Sequence, residues 1–184
     1  DNMAYIQKQG INGPIFALIA LDSHNYPVSG DVTREKLVQV ILDAALENGG
    51  WALSGTDADV DMTAMAIQAL APYYSTNEAV KAAVDNALDV LSSMQLPTGG
   101  FDSWGSENSE SCAQVIVALT ALGIDPASDS RFVKNGLTVL DALASYFVDG
   151  GGFRHVSTGE RDGMATEQGY YALTAYARFL SNFT

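Results

Sequence analysis

The chain has 184 residues, 9 Lys and Arg against 22 Asp and Glu, a formal charge of −13, and 47% hydrophobic residues. That much apolar material excludes a disordered chain and fits one domain over residues 1–184. The acidic balance excludes a nucleic-acid partner, which needs Lys and Arg to displace counterions, and an anionic membrane surface.

Taken along the chain, residues 12–21 open an apolar segment that ends in Ala20-Leu21. Residues 33–46 read as a half-exposed helix, followed by the turn signal Gly49-Gly50-Trp51. Residues 59–74 are apolar nearly all round, because Val60, Met62, Met65, Ile67 and Leu70 fit no single stripe; a helix of that kind is buried on most sides. Ser75-x-x-Glu78 reads as the capping box of a helix over residues 77–95. There Val80, Val84, Ala87, Leu88, Leu91 and Met94 form one stripe, with Glu78, Lys81, Asp85 and Asp89 off it. Gly99-Gly100-Phe101 follows, then a second all-round apolar helix over residues 109–122. Residues 131–147 are expected to be another half-exposed helix, leading to Gly151-Gly152-Phe153 and a last apolar segment containing Ala172-Leu173. Sustained period-2 alternation is missing, and no Asn-Gly hairpin turn is expected between strand-like runs. The apolar run around Cys112 is interrupted by Gln114 and too short to span a bilayer, so no membrane insertion is expected. The single Cys112 excludes an internal disulfide framework. A chain that opens abruptly at Asp1 with no signal peptide reads as a piece of something longer.

The turn signals place their aromatics at positions 51, 101 and 153, a repeat of about 50 residues. The Ala-Leu pairs at 20–21, 69–70, 118–119 and 172–173 keep nearly the same interval. The expected fold is therefore all-α: about 3.5 helix hairpins, with buried inner helices and half-exposed outer ones in concentric layers, stacked as a solenoid or curled into an α/α barrel. Gly is expected at the left-handed position where each outer helix ends, with the aromatic plugging the crevice beside it.

Gln95-x-x-x-Gly99-Gly100-Phe101 resembles the Gln…Gly-aromatic repeat of squalene and terpenoid cyclases and of protein prenyltransferase β subunits, the prenyltransferase/squalene-oxidase repeat. Asp59-Val60-Asp61-Met62-Thr63-Ala64 resembles the Asp-x-Asp-Asp-Thr-Ala acid motif of class II terpene cyclases, and also the Val-Asp-Thr-Ala-Ala-Met-Ala segment of cobalamin carriers such as intrinsic factor and transcobalamin. The stretches Trp51-Ala52-Leu53-Ser54-Gly55-Thr56 and Ala113-Gln114-Val115-Ile116-Val117-Ala118-Leu119 are most similar to the prenyltransferase-like repeat modules of Gram-positive bacterial surface proteins. The resemblance implies a partial α/α toroid, since a full one has six pairs. It also implies an exported, cell-wall-associated or extracellular bacterial protein.

Aligned on Ala-Leu, the polar positions of the repeats fall in columns: Asp59, Asn108 and Asp162; Asp61, Glu110 and Met164, with Asn12 ahead of them; Thr63, Cys112 and Thr166; Met65, Gln114 and Gln168. These columns lie at the starts of the inner helices, where free N–H groups favour carboxylates, so Asp59, Glu110 and Glu167 read either as helix caps or as a polar pocket floor. The expectation is a non-catalytic ligand-binding or structural module. Its contacts would come from Asp59, Asp61, Asn108, Glu110, Gln114, Glu167 and Gln168, with Trp104 and the Tyr73-Tyr74 pair as flat surfaces beside them. The ligand would be a small molecule, a glycan or a protein, no cofactor is required, and an incomplete toroid favours self-association.

Two alternatives follow from the resemblance: a terpenoid cyclase or prenyltransferase-like enzyme with Asp61 as acid, and corrinoid binding. Met62 stands where the cyclase motif has its last Asp, which removes a partner for that acid. Phe16, Tyr170 and Tyr171 are the few inner-facing aromatics available for cation–π contact with a carbocation. A composite Asp61–Cys112–His155 zinc site has no familiar ligand spacing. Asp57, Asp59 and Asp61 offer hard oxygen ligands for calcium, without the Gly and Glu of an EF-hand. Nothing in the sequence positions His24 or His155 near Ser109, Ser111 or Cys112, so no covalent nucleophile is expected.

Overall fold

The computed structural model describes residues 2–28 and 30–182. Among these the chain is mostly helical, with eight α-helices and three short antiparallel strand pairs. It divides into two compact units, Asp1–Val90 and Leu91–Thr184.

The first unit holds α1 (Met3–Gln7), α2 (Asn12–Asp22), α3 (Arg34–Asp43), α4 (Val60–Leu70) with a 3₁₀ turn at Ala71–Tyr73, and most of α5 (Glu78–Met94). As its sequence requires, α4 buries eight of its eleven residues. It packs on α2, which also packs on α3. Helix α5 buries the stripe Val80, Val84, Ala87, Leu88 and Leu91. Asp22, at the end of α2, ties the unit together: it accepts from Arg34 Nε of α3 at 2.6 Å and from the Tyr73 hydroxyl at 2.9 Å. Arg34 also donates to the carbonyls of Leu21, in the last turn of α2, and of Tyr26 in the loop that follows, so one guanidinium ties the end of α2 to that loop. The capping box expected at Ser75 is displaced. Asn77 Oδ1 accepts from the backbone N–H groups of Ala79 and Val80 and caps α5 instead, since Ser75 stands three residues ahead of the first helical residue.

The second unit holds the last turn of α5, β1 (Asp102–Ser103), β2 (Ser106–Glu107), α6 (Ser109–Ala121), a 3₁₀ turn at Ser130–Phe132, β3 (Val133–Lys134), β4 (Leu137–Thr138), α7 (Val139–Ser145), β5 (Phe153–Arg154), β6 (Arg161–Asp162) and α8 (Gly163–Leu180). Helix α6 buries ten of its thirteen residues and packs against α7 and α8. The helix expected over residues 131–147 is only α7. Its first half is a hairpin, β3 paired with β4, turned by Asn135 and Gly136 at φ +53° and +80°. Those are the two left-handed residues of a type I′ turn, so an Asn-Gly hairpin is present where none was expected. Strand runs of two residues are too short to show alternation, which is why the pattern is silent.

The three Gly-Gly-aromatic signals build the same local structure. The N–H of Leu46, Leu96 or Val148 donates to the carbonyl of the second Gly, and the N–H of the first Gly donates back to the carbonyl of Leu46, Leu96 or Val148. The first Gly of each pair, Gly49, Gly99 and Gly151, is left-handed at φ +91°, +82° and +101°. Each lies several residues beyond the end of its helix, in a separate turn, rather than at the helix terminus expected of it. Trp51, Phe101 and Phe153 are then fully buried. In two of the repeats a threonine on the following helix locks the aromatic. Thr63 Oγ1 accepts from Trp51 N–H and donates to Trp51 C=O, both at 3.0 Å, and Thr166 Oγ1 does the same for Phe153 at 2.9 and 3.3 Å. The second Gly leaves room for that hydroxyl: a Cβ on Gly50 or Gly152 would stand 2.9 or 2.8 Å from it.

Candidate functional site

The polar columns resolve into different jobs. The first is a column of helix caps. Asp59 Oδ1 accepts from Met62 N–H at 2.7 Å, Asn108 Oδ1 from Ser111 N–H at 2.8 Å and Asp162 Oδ1 from Ala165 N–H at 2.9 Å. Asp59 Oδ2 also accepts from Leu53 N–H, and Asn108 Nδ2 donates to Ser106 C=O. Both polar atoms of Asp59 and of Asn108 are therefore committed to backbone. This weakens the calcium alternative for Asp57, Asp59 and Asp61, because Asp59 faces amide hydrogens with both oxygens. Asp57 is exposed and Asp61 is half-buried in the first turn of α4. Glu167 is exposed on α8 and does not cap it. Tyr73 and Tyr74 follow the C-terminal end of α4, opposite Asp59 and Asp61, and their hydroxyls donate to Asp22 and Asp85; they flank no helix start. Phe16, Tyr170 and Tyr171 are exposed rather than turned inward.

The second unit brings Glu110, His155, Ser109, Gln114 and Gln168 to the α6–α8 side. Gln114 Nε2 donates to Gln168 Oε1 at 2.8 Å and joins the two helices. Glu110 is different in kind. Its side chain is 10% exposed, and its Oε2 stands 2.8 Å from His155 Nδ1. Ser109 Oγ lies 3.1 Å from the same Oε2 and 2.8 Å from Arg154 C=O. Ser109 N–H donates to His155 C=O. The loop after β5 is thus stitched to the start of α6 by three polar contacts. His155, which nothing in the sequence positions near Ser109, lies beside it, one residue past the end of β5.

Glu110 Oε1 and Ser111 Oγ are buried and have no hydrogen-bond partner among the described residues. A buried carboxylate oxygen without a donor costs about 1–3 kcal/mol. His155, 52% exposed, stands at the rim of this corner. Cys112 is fully buried in α6, and among the described residues no three His, Cys, Asp or Glu side chains converge as metal ligands. The composite zinc site therefore has no geometric support.

Trp104 is the tip of the β1–β2 hairpin. It is 79% exposed and adopts φ +56°, the first left-handed position of a turn completed by Gly105 at φ +82°. Asn and Gly suit such turns, and a bulky residue there is strained. It stands four positions before Asn108, so its Cα lies within about 14 Å of the cap of α6. Sequence reasoning missed His155, Ser109 and Ser111. The one signal was position: His155 follows the repeat aromatic Phe153 by two residues, where the other repeats carry Leu53 and Ser103.

No protein-family model matches the chain, and no curated protein matches it significantly. No helix among the described residues is long and apolar enough to cross a membrane.

Proposed function

We propose that this chain is a non-catalytic ligand-binding module of an exported bacterial surface protein, built on part of an α/α toroid of the prenyltransferase-like repeat kind. Support for the architecture comes from the alternation of all-round buried α4 and α6 with one-sided α3, α5 and α7, and from three Gly-Gly-aromatic turns with one hydrogen-bond pattern. The observation that carries the binding reading is Glu110: a buried carboxylate with one oxygen held by His155 and Ser109 and the other without a donor.

Such a site takes a ligand that brings N–H or O–H donors. The charge of −13 disfavours a polyanion. Trp104 adds a flat apolar face suited to the C–H side of a sugar ring. An N-acetylated hexosamine tetrasaccharide offers both features and is the probe of choice. Calorimetric titration is expected to show binding that weakens at least about tenfold in Glu110→Gln and in Trp104→Ala, the loss of one charge-assisted hydrogen bond or one stacking contact. Binding unaffected by either substitution contradicts the site. Parallel arms with cobalamin and with farnesyl diphosphate address the other two readings. A corrinoid spectral change supports the carrier reading, and product formation abolished by Asp61→Asn supports the enzymatic one.

A further inference from the structure

The corner around Glu110 carries negative charge with no fixed counter-charge from the chain. Glu110 is buried, and Glu107 on β2 is half-buried. Among the described residues neither pairs with a Lys or Arg. Glu110 contacts His155 and Ser109, and Glu107 accepts from the Thr98 hydroxyl. His155 brings a charge only when protonated. Tyr146, buried just past α7, lies within the field of both carboxylates. Burial first, then Cys112, Glu107 and Glu110, push its hydroxyl above the ordinary value of 10.

Two buried oxygens in the first turn of α6 lack a partner, Glu110 Oε1 and Ser111 Oγ. An ammonium meets such oxygens with three donors and no acceptor. An acetamide has one N–H, and its carbonyl and methyl group must be housed as well. Glu110 Oε1 is closed to solvent, which favours the smaller donor. Charge acts in the same direction. Folding has already taken Glu110 out of water, so a cation that reaches it loses only its own hydration. An ammonium also adds a full opposite charge to the hydrogen bond an amide N–H would make. A helix N-terminus by itself favours anions, but two of its N–H groups here are taken. Ser111 N–H donates to Asn108 Oδ1 and Ser109 N–H to His155 C=O.

We propose that the donor this site takes is a primary ammonium, carried by a hexosamine oligosaccharide with a free amine at the residue that reaches Glu110. The proposal rests on the ligand-binding reading of this corner and adds the sign of the ligand: amine is preferred to acetamide. Trp104 covers the apolar face of a sugar ring in either case and does not discriminate between them. Glu110 is the residue that sets the preference.

Calorimetric titration with two tetrasaccharides reads this directly, at about pH 7, below the ordinary value of an amine. One is N-acetylated throughout; the other differs by a single free amine, so that it is not a polycation drawn to the whole acidic chain. The amine probe is expected to bind the parent about tenfold tighter than the acetylated one. In Glu110→Gln both bind more weakly and equally. In Glu78→Gln, which removes the same charge from an exposed position on α5, the preference stays. Equal affinity of the two probes for the parent overturns the proposal and leaves the binding reading standing. A preference that survives Glu110→Gln also overturns it, because the field of the whole chain is then its source. If neither probe binds the parent, both fall. Far-UV circular dichroism checks that Glu110→Gln is folded. Should it not be, the Glu110 and Ser111 N–H resonances of the parent decide: larger shifts with the amine probe support the proposal, and equal shifts overturn it.

Discussion

At the scale of single residues, the repeat is held by contacts that a helical pattern does not reveal. Thr63 and Thr166 each make two bonds to the backbone of a buried aromatic, so their hydroxyls are part of the fold. Replacing Thr63 with Val keeps the shape and strands Trp51 N–H, while Trp51 C=O keeps the Asp59 N–H; about 1–3 kcal/mol of stability should be lost in urea unfolding. Gly169 decides between two opposing effects. Alanine in a helix interior gains about 1 kcal/mol over glycine. Here, though, a Cβ would stand 2.5–2.8 Å from three ring carbons of Phe153, which is itself fully buried. The clash wins, and Gly169→Ala should destabilise by about 1–3 kcal/mol in the same assay.

Asp141 carries a pH signature. The hydroxyl of Thr138 and then its N–H donate to the carboxyl and hold it below its ordinary value of 3.8. A group whose folded pKa is depressed stabilises above the unfolded value and loses that contribution as pH falls through the folded one. The stability difference between the parent and Asp141→Asn should therefore be flat above about pH 5 and shrink progressively below the unfolded value. Asp129, held low chiefly by the Arg131 guanidinium, should behave in the same direction.

At the scale of elements, helix type followed from spacing and boundaries did not. The stripe from Val80 to Leu91 and the all-round apolar runs of α4 and α6 were legible, because burial on one side or on most sides leaves a mark over eleven or more residues. The hairpin at Val133–Thr138 left none, since two residues per strand carry no period; Asn135-Gly136 was its only trace. The start of α5 was misread for a related reason: Ser75 and Asn77 are both capping types, and only the path of the chain picks between them. Asn77→Ala should cost about 1 kcal/mol in thermal or urea unfolding and Ser75→Ala close to nothing, the reverse of what the capping-box spacing implies. Of the site, the Asp59, Asn108 and Asp162 column was visible as a repeat, but its assignment to capping was not, because a cap and a ligand-binding carboxylate use the same residue types. Glu110 was legible as a column member, but its contact with His155, forty-five residues on, came only with folding.

At the scale of the whole molecule, one recurrent Gly-Gly-aromatic turn buries Trp51 in the first unit and Phe101 and Phe153 in the second, and the proposed site draws on departures from that repetition. Trp104 has no counterpart in the other repeats, and Glu110 combines a buried oxygen that has no donor among the described residues with a contact to His155. The proposal of ligand binding at the start of α6 rests on these two, and it is the central claim. It is tested most directly by following backbone and Trp104 indole N–H resonances by ¹H–¹⁵N NMR while the hexosamine tetrasaccharide is titrated in. Shifts concentrated at Trp104, at Ser109 to Ser111 and at His155, and lost in Glu110→Gln, are the predicted result. Saturating probe that moves none of these resonances, or moves only resonances of other elements, would contradict it.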